Sequence, residues 1–79
     1  MRVTVVCFGL MREYLPGSST GNRAEVEIAE EAQVTDVIDA LGAPRRLVFA
    51  LLVDGRQVAP DEQLHDGAEI TLMPPFTGG

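Results

Sequence analysis

Between Arg2 and Gly9 two sets of residues alternate, Val3, Val5 and Cys7 against Thr4, Val6 and Phe8, which is the period-two pattern of a strand. Thr4 turns the second set outward, so Val6 and Phe8 are expected on a face open to a partner. Leu10 to Leu15 reads as a short helix or turn, and Pro16 to Asn22 as a loop by its composition. Ala24, Val26 and Ile28 then alternate with Glu25 and Glu27, a second strand that pairs with the first as an antiparallel hairpin. The period changes next. Val34, Val37, Ile38 and Leu41 fall at i, i+3, i+4 and i+7, the single apolar stripe of a helix that needs a sheet to lie on. Thr35 is its expected N-cap, with Asp36 in the first turn, Gly42 at the left-handed position past its end and Pro44 blocking continuation.

Leu47 to Val53 is nearly all apolar and reads as a central strand or one with a binding face. Asp54-Gly55 predicts a tight turn into a short strand, Arg56 to Ala59. Leu64 is the expected buried anchor of the following loop, and Asp66-Gly67 makes another turn. Ala68, Ile70 and Leu72 alternate with Glu69, Thr71 and Met73 in a last strand, which Pro74 and Pro75 terminate because proline cannot donate to the ladder. One amphipathic helix among four or five strands is an α+β architecture. With the first and last strands parallel at the sheet centre, the order is that of a ubiquitin-like β-grasp. Periodicity supplies the elements and their order but not that pairing.

Composition narrows the function. Seventy-nine residues make one small domain, and one cysteine excludes an internal disulfide. One Cys and one His do not supply a zinc ligand set. Six Arg, no Lys and twelve acidic residues leave a net charge of −6, which repels phosphate backbones and argues against nucleic acid. No apolar run is long enough to span a membrane and no signal-peptide pattern precedes the first strand, so a cytoplasmic location is expected. Without lysine, no side chain serves as an amine nucleophile or isopeptide acceptor. Cys7 reads as a buried small hydrophobe, His65 as a solvated loop residue, and Arg45-Arg46 as cations at the helix end.

The last six residues, Pro74-Pro75-Phe76-Thr77-Gly78-Gly79, carry the sharpest signal. Two terminal glycines occur by chance in roughly one chain in two hundred. They suit a slim tail that threads into another protein and presents its α-carboxylate there, after a Pro-Pro stem that lowers the entropy lost on insertion. Phe76 reads either as a tail anchor in a partner's apolar slot or as folding back onto its own domain. The organisation expected is thus a β-grasp domain over 1–73 and a flexible tail over 74–79.

Four further stretches join that tail. Cys7-Phe8-Gly9-Leu10-Met11-Arg12-Glu13 is similar to an aromatic-x-x-Leu-Arg-Glu pattern with Met11 inserted. The others are Thr35 to Leu41, Leu52-Val53-Asp54-Gly55 and Leu64-His65-Asp66-Gly67-Ala68-Glu69-Ile70. In these the chain resembles the small ubiquitin-like sulfur carriers of the MoaD/ThiS family, over essentially its whole length. Two departures, Val53-Asp54-Gly55 for a frequent Val-Asn-Gly and Ala68 for a frequent Asp, leave the chemistry untouched.

The resemblance implies a carrier with no catalytic side chain and no bound cofactor of its own. A partner E1-like adenylyltransferase of the MoaB/MoeB/ThiF kind would use ATP and magnesium to adenylate the Gly79 carboxylate. Sulfur derived from a sulfurtransferase persulfide would then displace AMP and leave a thiocarboxylate. Gly78, Thr77, Phe76 and Pro75 would thread into partners, with Phe8 and Val6 as docking surface. The Pro-Pro-aromatic-Thr-Gly-Gly tail looks most like the small subunit of molybdopterin synthase, whose large subunit would be the acceptor. Carriers for cysteine, thiamine or secondary-metabolite sulfur remain alternatives, as do a ubiquitin-like modifier acting through Gly79 and an inert interaction module.

Overall fold

The computed structural model describes residues 1–17 and 19–75. Five strands form one mixed sheet: β1 (Arg2–Cys7), β2 (Arg23–Glu27), β3 (Ala50–Val53), β4 (Arg56–Gln57) and β5 (Glu69–Met73). Their order across the sheet is β2-β1-β5-β3-β4. β1 and β2 form the expected antiparallel hairpin, with Val3 opposite Val26 and Val5 opposite Ala24. The parallel pairing that periodicity left open lies at the centre, with Val5 opposite Ile70 and Cys7 opposite Leu72. Because side chains alternate across a strand, Val3, Val5 and Cys7 of β1 share one face with Ile70 and Leu72 of β5, all of them fully or almost fully buried. This is the ubiquitin-like β-grasp that the sequence pattern predicts.

The helix α1 (Val34–Ala40) lies on that face, burying Val34, Val37 and Ile38. Its N-cap is Gln33 rather than Thr35, which stands in the first turn. The loop after β4 explains the shift. The carbonyls of Glu62 and Pro60 accept the N–H groups of Val34 and Thr35, both at 3.1 Å, so no threonine hydroxyl is needed there. The Asp36 carboxylate accepts the Gln33 N–H at 2.8 Å. At the other end Gly42 (φ +76°) occupies the expected left-handed position. Its N–H donates to Asp39, and that of Ala43 donates to Ile38, closing a Schellman motif.

Two expectations need correction. Leu47 to Val53 is not one strand: residues Arg45–Leu47 form a 3-10 turn, and β3 begins only at Ala50. Pro44 starts that turn by accepting the Leu47 N–H at 3.0 Å. Arg45 is drawn back to α1 by two bonds to Asp39, at 3.0 and 2.6 Å. Val6, expected on an open face, is only 5% exposed. It lies between Arg23 on β2 and Thr71 on β5, and an Arg23–Glu69 ion pair at 3.3 Å reaches across β1 above it. The second set of β1 does face away from the helix, but at Val6 the aliphatic stem and charged head of a neighbour have closed over it.

Candidate functional site

β5 occupies the middle of the sheet and leads straight into Pro74, so the tail departs between the ends of β1 and β3. The last ladder bonds hold it from both sides. Phe8 donates its N–H to the Leu72 carbonyl at 3.1 Å, and Phe49 donates to the Met73 carbonyl at 2.8 Å. Pro74 has no N–H with which to continue, and pairing stops there. The two phenylalanines that grip the strand end are both solvent-facing, Phe8 at 46% and Phe49 at 72% exposure. Leu10 joins them at 62%. These are the exposed large hydrophobic side chains among the described residues.

Phe8, Gly9, Leu10, Leu47, Met73, Pro74 and Pro75 line a groove of about 560 Å³ at this exit. None of the seven carries an ionisable group. The arrangement offers apolar contact and a directed tail, not acid, base or nucleophile. An apolar patch concentrated in one place, and not scattered, is the usual mark of a protein-binding surface.

The expected site residues separate on this geometry. Phe8 and Pro75 lie at the groove, and Val6 is covered. Phe76, Thr77, Gly78 and Gly79 lie outside the described residues. Leu10 and Phe49 were not expected. Phe49 shares the parity of Leu51 and Val53, which point inward, so alternation alone hides its exposure. At the other residue the 3-10 segment Gly9–Tyr14 decides: it buries Met11 completely and leaves Leu10 outside. Met11 therefore fills the apolar anchor position of the aromatic-x-x-Leu-Arg-Glu pattern, and the stretch fits that pattern without an insertion.

Residues that could do chemistry lie elsewhere. Cys7 points into the core, where burial pushes its thiol up to about 11. His65 sits near the start of β5, at the opposite end of that strand from the tail. Its Nε2 is 2.6 Å from the Asp54 carboxylate and its Nδ1 is 2.9 Å from the Asp66 carbonyl. Both partners only accept, so this geometry selects the imidazolium, and His65 titrates above its ordinary value, chiefly through Asp54. Asp54 is held below the usual carboxylate range, first by the Glu69 N–H at 3.0 Å and then by His65. Through these bonds Asp54 fastens the β3–β4 turn to the first residue of β5 and to the loop before it. His65 is thus the solvated loop residue expected, with a structural tie added to it.

No curated protein matches the chain. Solved structures do. The crystal structure of SAMP1 from Haloferax volcanii is 27% identical over 100% of both chains, with a TM-score of 0.76. A putative molybdopterin converting factor, subunit 1, from Pyrococcus furiosus is 25% identical over 94% of this chain and 97% of its own, with a TM-score of 0.69. A complex of subunits 1 and 2 of molybdopterin-converting factor from Helicobacter pylori shares the fold at 21% identity, over 100% of both chains, with a TM-score of 0.63. The family model that matches is ThiS, over residues 5–79, a span that takes in the end of β1, the groove and the whole tail. The chain belongs to the ThiS family of small ubiquitin-like carrier proteins.

Proposed function

We propose that this protein is a cytoplasmic sulfur carrier whose reacting group is the Gly79 carboxylate. The observation that carries the reading is the tail root: a central strand runs into a Pro-Pro stem framed by Phe8 and Phe49, with no ionisable residue lining the groove. Such an end can deliver a carboxylate but cannot activate one. A carboxylate is a poor acyl donor until it carries a leaving group. An E1-like adenylyltransferase supplies one: the Gly79 oxygen attacks the α-phosphorus of magnesium-bound ATP, and pyrophosphate leaves. A sulfurtransferase persulfide then attacks the acyl carbon and expels AMP. A second thiol cleaves the resulting S–S bond, leaving the thiocarboxylate and a disulfide. Gly78 and Gly79 pass a narrow channel without a Cβ, and Pro75, Phe76 and Thr77 thread in behind them. Phe8, Leu10 and Phe49 form the docking rim in place of the Phe8 and Val6 pair.

Within the carriers, we assign the chain to the small subunit of molybdopterin synthase, docking on the large subunit. The likeness to the Pyrococcus protein and the form of the tail support this. The likeness to SAMP1 favours a second reading, a modifier that forms an isopeptide through Gly79. The intact mass of the protein recovered from its native host separates them. Replacement of one oxygen by sulfur, lost when Gly79 is deleted, is the expected result. Lysine-linked adducts with no thiocarboxylate would decide for the modifier.

A further inference from the structure

Gly9 stands where the tail leaves the sheet, and two independent features single it out. Its φ is +55°, a conformation that side-chain-bearing residues adopt at a cost. A Cβ at this position would also stand 3.0 Å from Cγ of Pro74, inside the ~3.5–4.0 Å separation at which carbon atoms pack. Gly17, Gly21, Gly42, Gly55 and Gly67 have nothing within 4 Å of the same point. Gly9 is thus the one glycine among those described whose missing side chain makes room for another residue.

The neighbouring bonds make that room consequential. Phe8, next to Gly9, fixes Leu72, and Phe49 fixes Met73, so the backbone is held up to the residue before Pro74. Among the described residues no ladder bond beyond Met73 sets the direction of the chain. The fixed φ of proline and the seat over Gly9 take over that role. We propose that Gly9 is the positioning residue of the tail: its bare Cα seats the Pro74 ring and so sets the direction in which the chain leaves Met73. The purpose of this seat rests on the carrier reading above, whereas its geometry does not. A tail started along a fixed direction loses less freedom when it threads into an adenylating partner.

The test uses the full chain and two variants, Gly9→Ala and Gly9→Asn. Both introduce the Cβ, and asparagine tolerates positive φ, so it preserves the fold if alanine does not. The first readout is NMR. Wild-type protein shows contacts between the Gly9 α-protons and the Pro74 ring, and both variants lose them and change the residual dipolar couplings of residues 75–79. The second readout is ATP–pyrophosphate exchange by a MoeB/ThiF-type adenylyltransferase at varied carrier concentration. Gly9→Asn raises KM about tenfold with kcat and the melting temperature unchanged. Pro74→Ala, which removes both the ring and its fixed φ, raises KM alone and adds little in the Gly9→Asn background, because both changes act through the same seat.

Absence of the Gly9–Pro74 contacts in the wild type, or unchanged couplings in both variants, overturns the proposal whatever the enzyme assay shows. A KM that rises only in step with a falling melting temperature also overturns it, since a loss of fold explains that result. Wild-type protein that supports no exchange at all, with the NMR result intact, refutes the carrier reading and leaves the seat established.

Discussion

Two side chains carry opposite pH signatures and can be tested directly. The His65 imidazolium gains two acceptors on folding, so its pKa is raised. Its contribution to stability is full below the unfolded value of about 6.5 and is lost as pH rises through the higher folded value. Asp54 runs the other way, contributing above its unfolded value of about 3.9 and failing as pH falls through its lowered folded value. The chain has one histidine, so an NMR titration reads it without ambiguity. The midpoint is expected above 6.5, and one at or below that value would mean that His65 and Asp54 are not paired in solution. Cys7 gives a simpler check. With its thiol buried and pushed up to about 11, native protein at pH 8 should resist thiol reagents that label it quickly once unfolded. Its burial was legible from alternation with valines. The His65 tie was not, because it joins residues eleven apart in sequence through two turns whose approach only the folded sheet creates.

At the scale of elements, both ends of α1 are held by bonds that single substitutions remove. Gly42→Ala forces a Cβ into a left-handed conformation and should cost about 1 kcal/mol. In a domain of this size that lowers the melting temperature by roughly 4–8 °C. Asp36→Ala frees the Gln33 N–H and should cost about 1 kcal/mol as well, read from the denaturant midpoint. An unchanged midpoint would mean that water caps the helix equally well. The stripe, the C-terminal glycine and the hairpin turn at Asp54-Gly55 were readable because each is a local pattern with one physical solution. The turn has both residues at positive φ, as the type I′ geometry requires. The N-cap was misplaced because the groups that satisfy Val34 and Thr35 come from Pro60 and Glu62, some twenty-five residues away. The strand Leu47 to Val53 was overextended for a related reason. An apolar run records burial without its cause, and here Leu47 packs against the core from a 3-10 turn.

Among the described residues the large apolar side chains divide between a buried core and the exposed Phe8, Leu10 and Phe49, and mutation should expose the division. Met11→Ala removes a fully buried side chain and is expected to cost roughly 2–5 kcal/mol. Phe49→Ser, at the rim, should change unfolding free energy by no more than about 0.5 kcal/mol. On the proposed function, binding to an adenylating enzyme should nevertheless weaken about tenfold or more, as for an aromatic anchor at an interface. A Phe49 variant that binds normally would move the docking surface elsewhere. The central place of β5 has one more consequence, and it concerns time. β5 is the last strand to be synthesised, yet β1, the first, is unpaired on one side until β5 arrives. Pairings so distant in sequence form late and slowly. A nascent chain halted before residue 69 lacks the strand that joins the two halves of the sheet. Until then the hairpin of β1 and β2 and the segment of β3 and β4 have no common strand between them.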